Sequence, residues 1–200
     1  MGTLWIGWTA LSLAIGQLTD VPRPALRAVW VDVGGVAPFV FDAMARESAS
    51  ILQDVGVDLS WERGSTGVLP DDADLTVILL NSAPSPGLSP RCMGAATLGA
   101  AAPRAVWAFL PNVLWALGAH LRQGPWTATQ VRDLGVALGR VAAHEIVHAV
   151  APDLRHSTHG LMAERLGRAD LLRQRISLDE PSRRAILSRL AARQMAQAAR

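Results

Sequence analysis

Four short stretches after residue 25 are apolar throughout or alternate apolar with polar, and longer stretches carry apolar residues every three or four positions. Leu26 to Val33 (LRAVWVDV) is rich in β-branched and aromatic residues and stops at Gly34-Gly35, the pattern of a strand. Phe41, Met44, Ala45, Ser48, Ile51 and Leu52 then step at helical spacing, which predicts a helix over 38–54. Val57 to Glu62 alternates as a second strand. Leu75 to Leu80 (LTVILL) is an unbroken apolar run, the mark of a central strand buried on both faces. After a proline-rich loop over 81–94, Ala105 to Leu110 reads as another strand, with a short one near 95–99 as its partner. Pro111 to Leu121 reads either as a helix or as part of a long crossover. Thr127 or Thr129 caps a helix beginning near Gln130, whose stripe Val131, Leu134, Leu138 and Val141 faces a core. Residues 179–199 form a last helix, capped by Asp179 or Ser182, with Ile186, Leu187, Leu190, Ala191 and Met195 opposed by arginines. This order predicts an α+β fold, an α/β sandwich in which helices back a mixed, twisted sheet.

Composition narrows the class. In 200 residues, 50% are hydrophobic and 18% charged, so the chain buries a real core and is not disordered. The single cysteine, Cys92, excludes an internal disulfide framework and a Cys-rich zinc site. All 19 basic residues are arginine, the net charge is +2, and ten of the arginines fall after residue 150. That is a solvated C-terminal helix and not a concentrated basic face, so nucleic acid is not an expected partner. Residues 4–15 (LWIGWTALSLAI) are uncharged and apolar, short for a bilayer span but suited to a signal-peptide core. We therefore expect residues 1–20 to be a signal peptide or N-terminal membrane anchor, residues 21–200 to be the domain, and the protein to be exported.

The chemistry lies where the apolar stripe changes character. Continued past Val141, it reaches His144 and His148, four residues apart on one helical face, so both imidazoles can converge on one ion. Glu145 is rotated about 100° from His144, too far to share the ion symmetrically but able to reach a water beside it. This is the HExxH arrangement of zinc hydrolases. A catalytic zinc takes three protein ligands. The helix should end soon after His148, because Pro152 biases Ala151 away from helical geometry. The chain then offers His156, His159 or Glu164 as the third ligand, with His156 nearest after the turn. A ligating histidine usually donates its other N–H to a carboxylate or a carbonyl; Asp153 and Asp170 are the candidate carboxylates, with a helix cap or surface position the default reading of Asp170.

The segment HEIVHAVAPDLRHSTHGLM, residues 144–162, resembles the metzincin zinc endopeptidases, whose pattern is HExxHxxGxxH followed by a methionine-containing turn. It is similar in particular to small bacterial proteins reading roughly HExxHxLLxxxxHSxxGxM. The resemblance implies a site of Zn2+ held by His144, His148 and His156, with Glu145 as general base and Met162 as the Met-turn residue. It also implies a zinc metalloendopeptidase acting on a peptide or protein substrate. Two departures stand out: Ala151 occupies the position of the family's glycine, and the third histidine comes two residues later. They leave an alternative, an inactive zinc-binding or scaffold protein that keeps the fold. An edge strand within 95–110, with Ala108 pointing outward, is the expected seat for an extended peptide. Pro90-Arg91-Cys92 resembles the cysteine switch of matrix metalloproteinase propeptides, but its mid-domain place makes an ordinary loop cysteine the default.

Overall fold

The computed structural model describes residues 23–64, 73–82, 84–85, 87–97, 104–119 and 125–199. The expected signal peptide or anchor lies outside them. No helix among the described residues is long and apolar enough to cross a membrane.

Among the described residues five strands form one sheet, β1 (Ala25–Asp32), β2 (Asp58–Arg63), β3 (Leu75–Leu80), β4 (Gly94–Ala96) and β5 (Arg104–Phe109), in the order β2-β1-β3-β5-β4. The first four in that order are parallel, and β4 closes one edge antiparallel to β5. The sheet is thus mixed, as the element order predicts. Among the described residues five helices accompany it: α1 (Pro38–Asp54), α2 (Leu110–Ala116), α3 (Ala128–Val150), α4 (Arg168–Leu172) and α5 (Glu180–Ala198). The undecided stretch after β5 resolves into the short α2, which follows the strand with no connecting residue.

Strand alternation sets the core. Leu26, Ala28 and Trp30, Leu75, Val77 and Leu79, and Val106 and Ala108 share a cluster with the apolar faces of α1 and α3. The other face of β3 is less complete than its sequence suggests: Thr76 is buried, but Ile78 and Leu80 are half-buried. Helices α1 and α3 approach closely because Gly135 and Gly139 face α1. A Cβ at Gly139 would lie 2.7 Å from the Met44 carbonyl oxygen, and one at Gly135 would lie 2.4 Å from the Ala43 Cβ. Arg140, on the next residue of α3, is 1% exposed. Its guanidinium donates to Glu47 on α1 at 2.7 Å and to the Asp170 and Arg173 carbonyls at 2.6 and 2.8 Å. One buried cation therefore joins α1, α3 and α4.

Ala108 does not point outward. It lies on β5, which is paired on both sides, and it is 1% exposed. The edge of the sheet on this side belongs to β4, three residues of glycine and alanine that carry no strand signature of their own.

Candidate metal centre

Helix α3 starts with a capping box. The Thr127 side chain accepts from the Gln130 N–H, and the Gln130 side chain accepts from the Thr127 N–H. Leu134, Leu138 and Val141 are buried on its inner face, and His144, at 7% exposure, continues that face. His148 follows one turn later and is half-buried. The last helical bond runs from the Ala151 N–H to the Val147 carbonyl, after which Leu154 N–H bonds back to Ala151. Ala151 adopts φ −124 and ψ 74, a backbone open to any L-residue, so the turn needs no glycine there. Pro152 and Asp153 occupy its centre, and the chain comes back with His156 over the end of the helix.

The three histidines meet. One ring nitrogen from each lies within 4.8 Å of the other two, and the Nε2 atoms of His148 and His156 are 3.1 Å apart. Two nitrogens on a tetrahedral zinc, at about 2.0–2.1 Å each, would sit roughly 3.4 Å apart, so the His148–His156 pair has nearly that spacing and His144 lies close enough to complete the set. Burial, and to a lesser degree the neighbouring imidazoles, lowers His144 to about 4 against the opposing pull of its bond to Leu161. His148 is likewise lowered to about 4, by burial first and then by His156. Both are neutral near pH 7, the form in which imidazole binds a metal.

The Leu161 carbonyl lies 2.8 Å from His144 Nδ1. A carbonyl only accepts, so Nδ1 carries the proton and Nε2 keeps its lone pair for the cluster. Leu161 is held in turn by its own N–H, which donates to the Ser177 carbonyl at 2.9 Å. The orienting group is therefore a carbonyl, not Asp153 or Asp170. Asp170 instead caps α4 by accepting from the Gly167 N–H, and Asp153 pairs with Arg189. Met162, adjacent to Leu161, is fully buried, and its carbonyl accepts from Ser157 N–H. His159 and Glu164 are exposed and stand outside the cluster.

Glu145 leaves α3 toward the edge strand. A Cβ at Gly94 would lie 2.6 Å from Glu145 Cγ and 2.8 Å from its Oε1, so the carboxylate side chain rests directly on the β4 backbone. Burial pushes this carboxyl up to about 8. Cys92, two residues before that contact, turns its thiol to the Gly94 carbonyl at 2.5 Å. Burial raises the thiol pKa, the bond to Gly94 opposes the rise, and the Glu145 charge adds to it. A protonated thiol engaged with a carbonyl is the ordinary loop cysteine, not a thiolate aimed at a metal.

Three contributors to this arrangement escape sequence reasoning: the Leu161 carbonyl, Gly94 and Arg140. Every residue carries a carbonyl, so nothing in the chain marks Leu161. Gly94 reads as loop. Arg140 could have been noticed as a charge one helical turn before His144, on the side of the helix that turns inward.

No protein-family model matches the chain, and neither does any curated protein sequence. Among solved structures it is similar to the archaemetzincin of Methanopyrus kandleri, with a TM-score of 0.57 at 14% identity, covering 86% of this chain and 99% of that one. It is also similar to metalloproteinase-II from Bacteroides fragilis, with a TM-score of 0.50 at 12% identity over 84% of this chain. The match covers 54% of that longer protein. The likeness establishes a metallopeptidase-like fold.

Proposed function

We propose that this protein is a zinc-dependent metallopeptidase, with His144, His148 and His156 as the metal ligands and Glu145 as the general base. The observation that supports this reading best is the convergence of three histidine nitrogens within 4.8 Å. It occurs at the end of a helix in a metallopeptidase-like fold.

When bound, zinc supplies Lewis acidity that polarises water and the scissile carbonyl. The protein's own groups supply the rest. His144 is fixed in orientation and tautomer by the Leu161 carbonyl, and His148 and His156 close two further sides. Glu145, one residue from the first ligand and shielded by β4, takes the proton from the attacking water and passes it to the departing amine. Its desolvated setting raises its basicity, which favours that proton's capture. The outer edge of β4 holds the peptide in extended form beside this carboxylate, by main-chain hydrogen bonds. Met162, buried next to the orienting Leu161, is the Met-turn residue beneath the ligands. The substrate is a peptide or protein met outside the cytoplasm, after export directed by residues 1–20.

The test is the zinc-to-protein ratio of the full chain purified without chelator, alongside His156→Ala, followed by peptide-library cleavage with Glu145→Ala as control. About one zinc per chain, reduced in His156→Ala, with cleavage lost in Glu145→Ala, is the expected result. A correctly folded protein that takes up no zinc overturns the reading. Full zinc with no peptide cleaved points to the inactive zinc-binding alternative.

A further inference from the structure

We propose that Asn112 and Thr97 are positioning residues whose side chains clamp the two ends of β4. They set the register that brings Gly94, the only residue of that strand without a side chain, against Glu145.

The need for such a device follows from length. Strand β4 has three residues, too few for its ladder to specify register, and Ala95 and Ala96 offer no large side chain to lock it. A slip of one residue would set Met93 or Ala95 where Gly94 now lies. There a Cβ would meet Glu145 Cγ at 2.6 Å and Val141 Cγ1 at 2.9 Å.

Both ends are held by side chains. At one, the Thr97 hydroxyl accepts from the Ala105 N–H at 3.0 Å and donates to the Ala105 carbonyl at 3.2 Å. The Thr97 N–H donates to the same carbonyl at 2.9 Å. At the other, Asn112 Nδ2 donates to the carbonyls of Pro90 and Cys92 at 3.0 and 2.6 Å. The Phe109 N–H donates to the carbonyl of Met93, the next residue, at 2.8 Å, and the Arg91 guanidinium sits 5.1 Å from the Trp115 ring centroid. Asn112 lies in the first turn of α2, which continues β5 without a break. The clamp therefore ties the incoming chain to the same rigid unit that β4 pairs with. Neither clamp touches the histidines, which belong to α3 and the turn after it.

The functional half of this inference rests on the peptidase reading; the structural half does not. Asn112→Asp keeps shape but turns an acceptor toward two carbonyls, and Thr97→Val removes only the hydroxyl. Backbone amide exchange in the full-length, metal-free protein reads the clamp directly. We expect exchange about tenfold faster at the Phe109 N–H in Asn112→Asp and at the Ala105 N–H in Thr97→Val, with Thr97→Ser retaining protection. Amides of α3 and zinc uptake should stay as in the wild type. Under the peptidase reading kcat/KM falls about tenfold or more in each, because a small misplacement of the reacting groups is costly. Adding Asn112→Asp to Gly94→Ala should cost less than it does alone, since β4 is already displaced. Unchanged exchange at both amides, or exchange accelerated throughout α3 with zinc lost, overturns the proposal. Should Asn112→Asp not fold, the Thr97→Val and Thr97→Ser pair decides by the same criterion. The expected exchange pattern in a chain that cleaves nothing upholds the clamp and removes the peptidase reading.

Discussion

The Leu161 carbonyl and His144 Nδ1 lie 2.8 Å apart, joining the turn after α3 to the first histidine of the cluster. The bond settles which nitrogen of that ring faces His148 and His156, and it couples the cluster's state to that of the turn beneath it.

Metal-free protein should lose stability in acid because of this cluster. His144 and His148 are lowered from 6.5 to about 4 in the folded chain, so the unfolded chain binds their protons first. Their contribution is fully present above pH 6.5 and is lost as the pH falls through 4. Urea titrations of the metal-free protein across that window should show a falling midpoint, and His144→Asn should flatten it. An unchanged slope in the variant would refute the assignment.

Glu145 produces the opposite trend. Its carboxyl is raised from 4.5 to about 8, so its contribution is fully present below pH 4.5 and is lost as the pH rises through 8. Metal-free Glu145→Gln should therefore keep its unfolding midpoint between pH 6.5 and 8, where the wild type declines. In the zinc-loaded protein the same change should lower kcat by about 10²–10⁴. Melts at a series of pH values and steady-state kinetics check the two halves separately.

Gly94→Ala introduces a methyl group where Glu145 and Val141 already stand. We expect about 1–3 kcal/mol of destabilisation from overpacking, with zinc uptake retained and turnover reduced. Chemical denaturation together with metal analysis distinguishes this from a collapse of the site.

Arg140→Ala should be the most damaging of these changes to stability. It leaves Glu47 and two carbonyls without their buried cation, a loss of about 3–5 kcal/mol. Arg140→Lys, with a point charge in place of the guanidinium fork, should fall between. A loss below about 1 kcal/mol in urea unfolding would place the network among surface ion pairs instead.

What could be read along the chain is what short-range physics writes there. The period of Leu134, Leu138, Val141, His144 and His148 states a helix, its buried face and a pair of histidines on that face. Thr127 and Asp179 mark two helix starts because a cap bonds an N–H within three residues of itself. The other features depend on groups distant in sequence. Whether Ala151 could replace a glycine depended on the path of the turn, and its φ of −124 shows that no left-handed residue is needed. Ala108 was expected at the surface because pairing on both sides of β5 is a property of strand order, not of β5. Of the carboxylate or carbonyl partners open to His144, the one used is the Leu161 backbone, which no side chain announces. And on our proposal Gly94 meets Glu145 because the side chains of Thr97 and Asn112, both later in sequence than β4, hold three featureless residues in place. Periodicity and capping act within a few residues and so survive in one dimension. Register, edge and backbone acceptors are decided by contacts across the fold, where the identity of the residue itself says almost nothing.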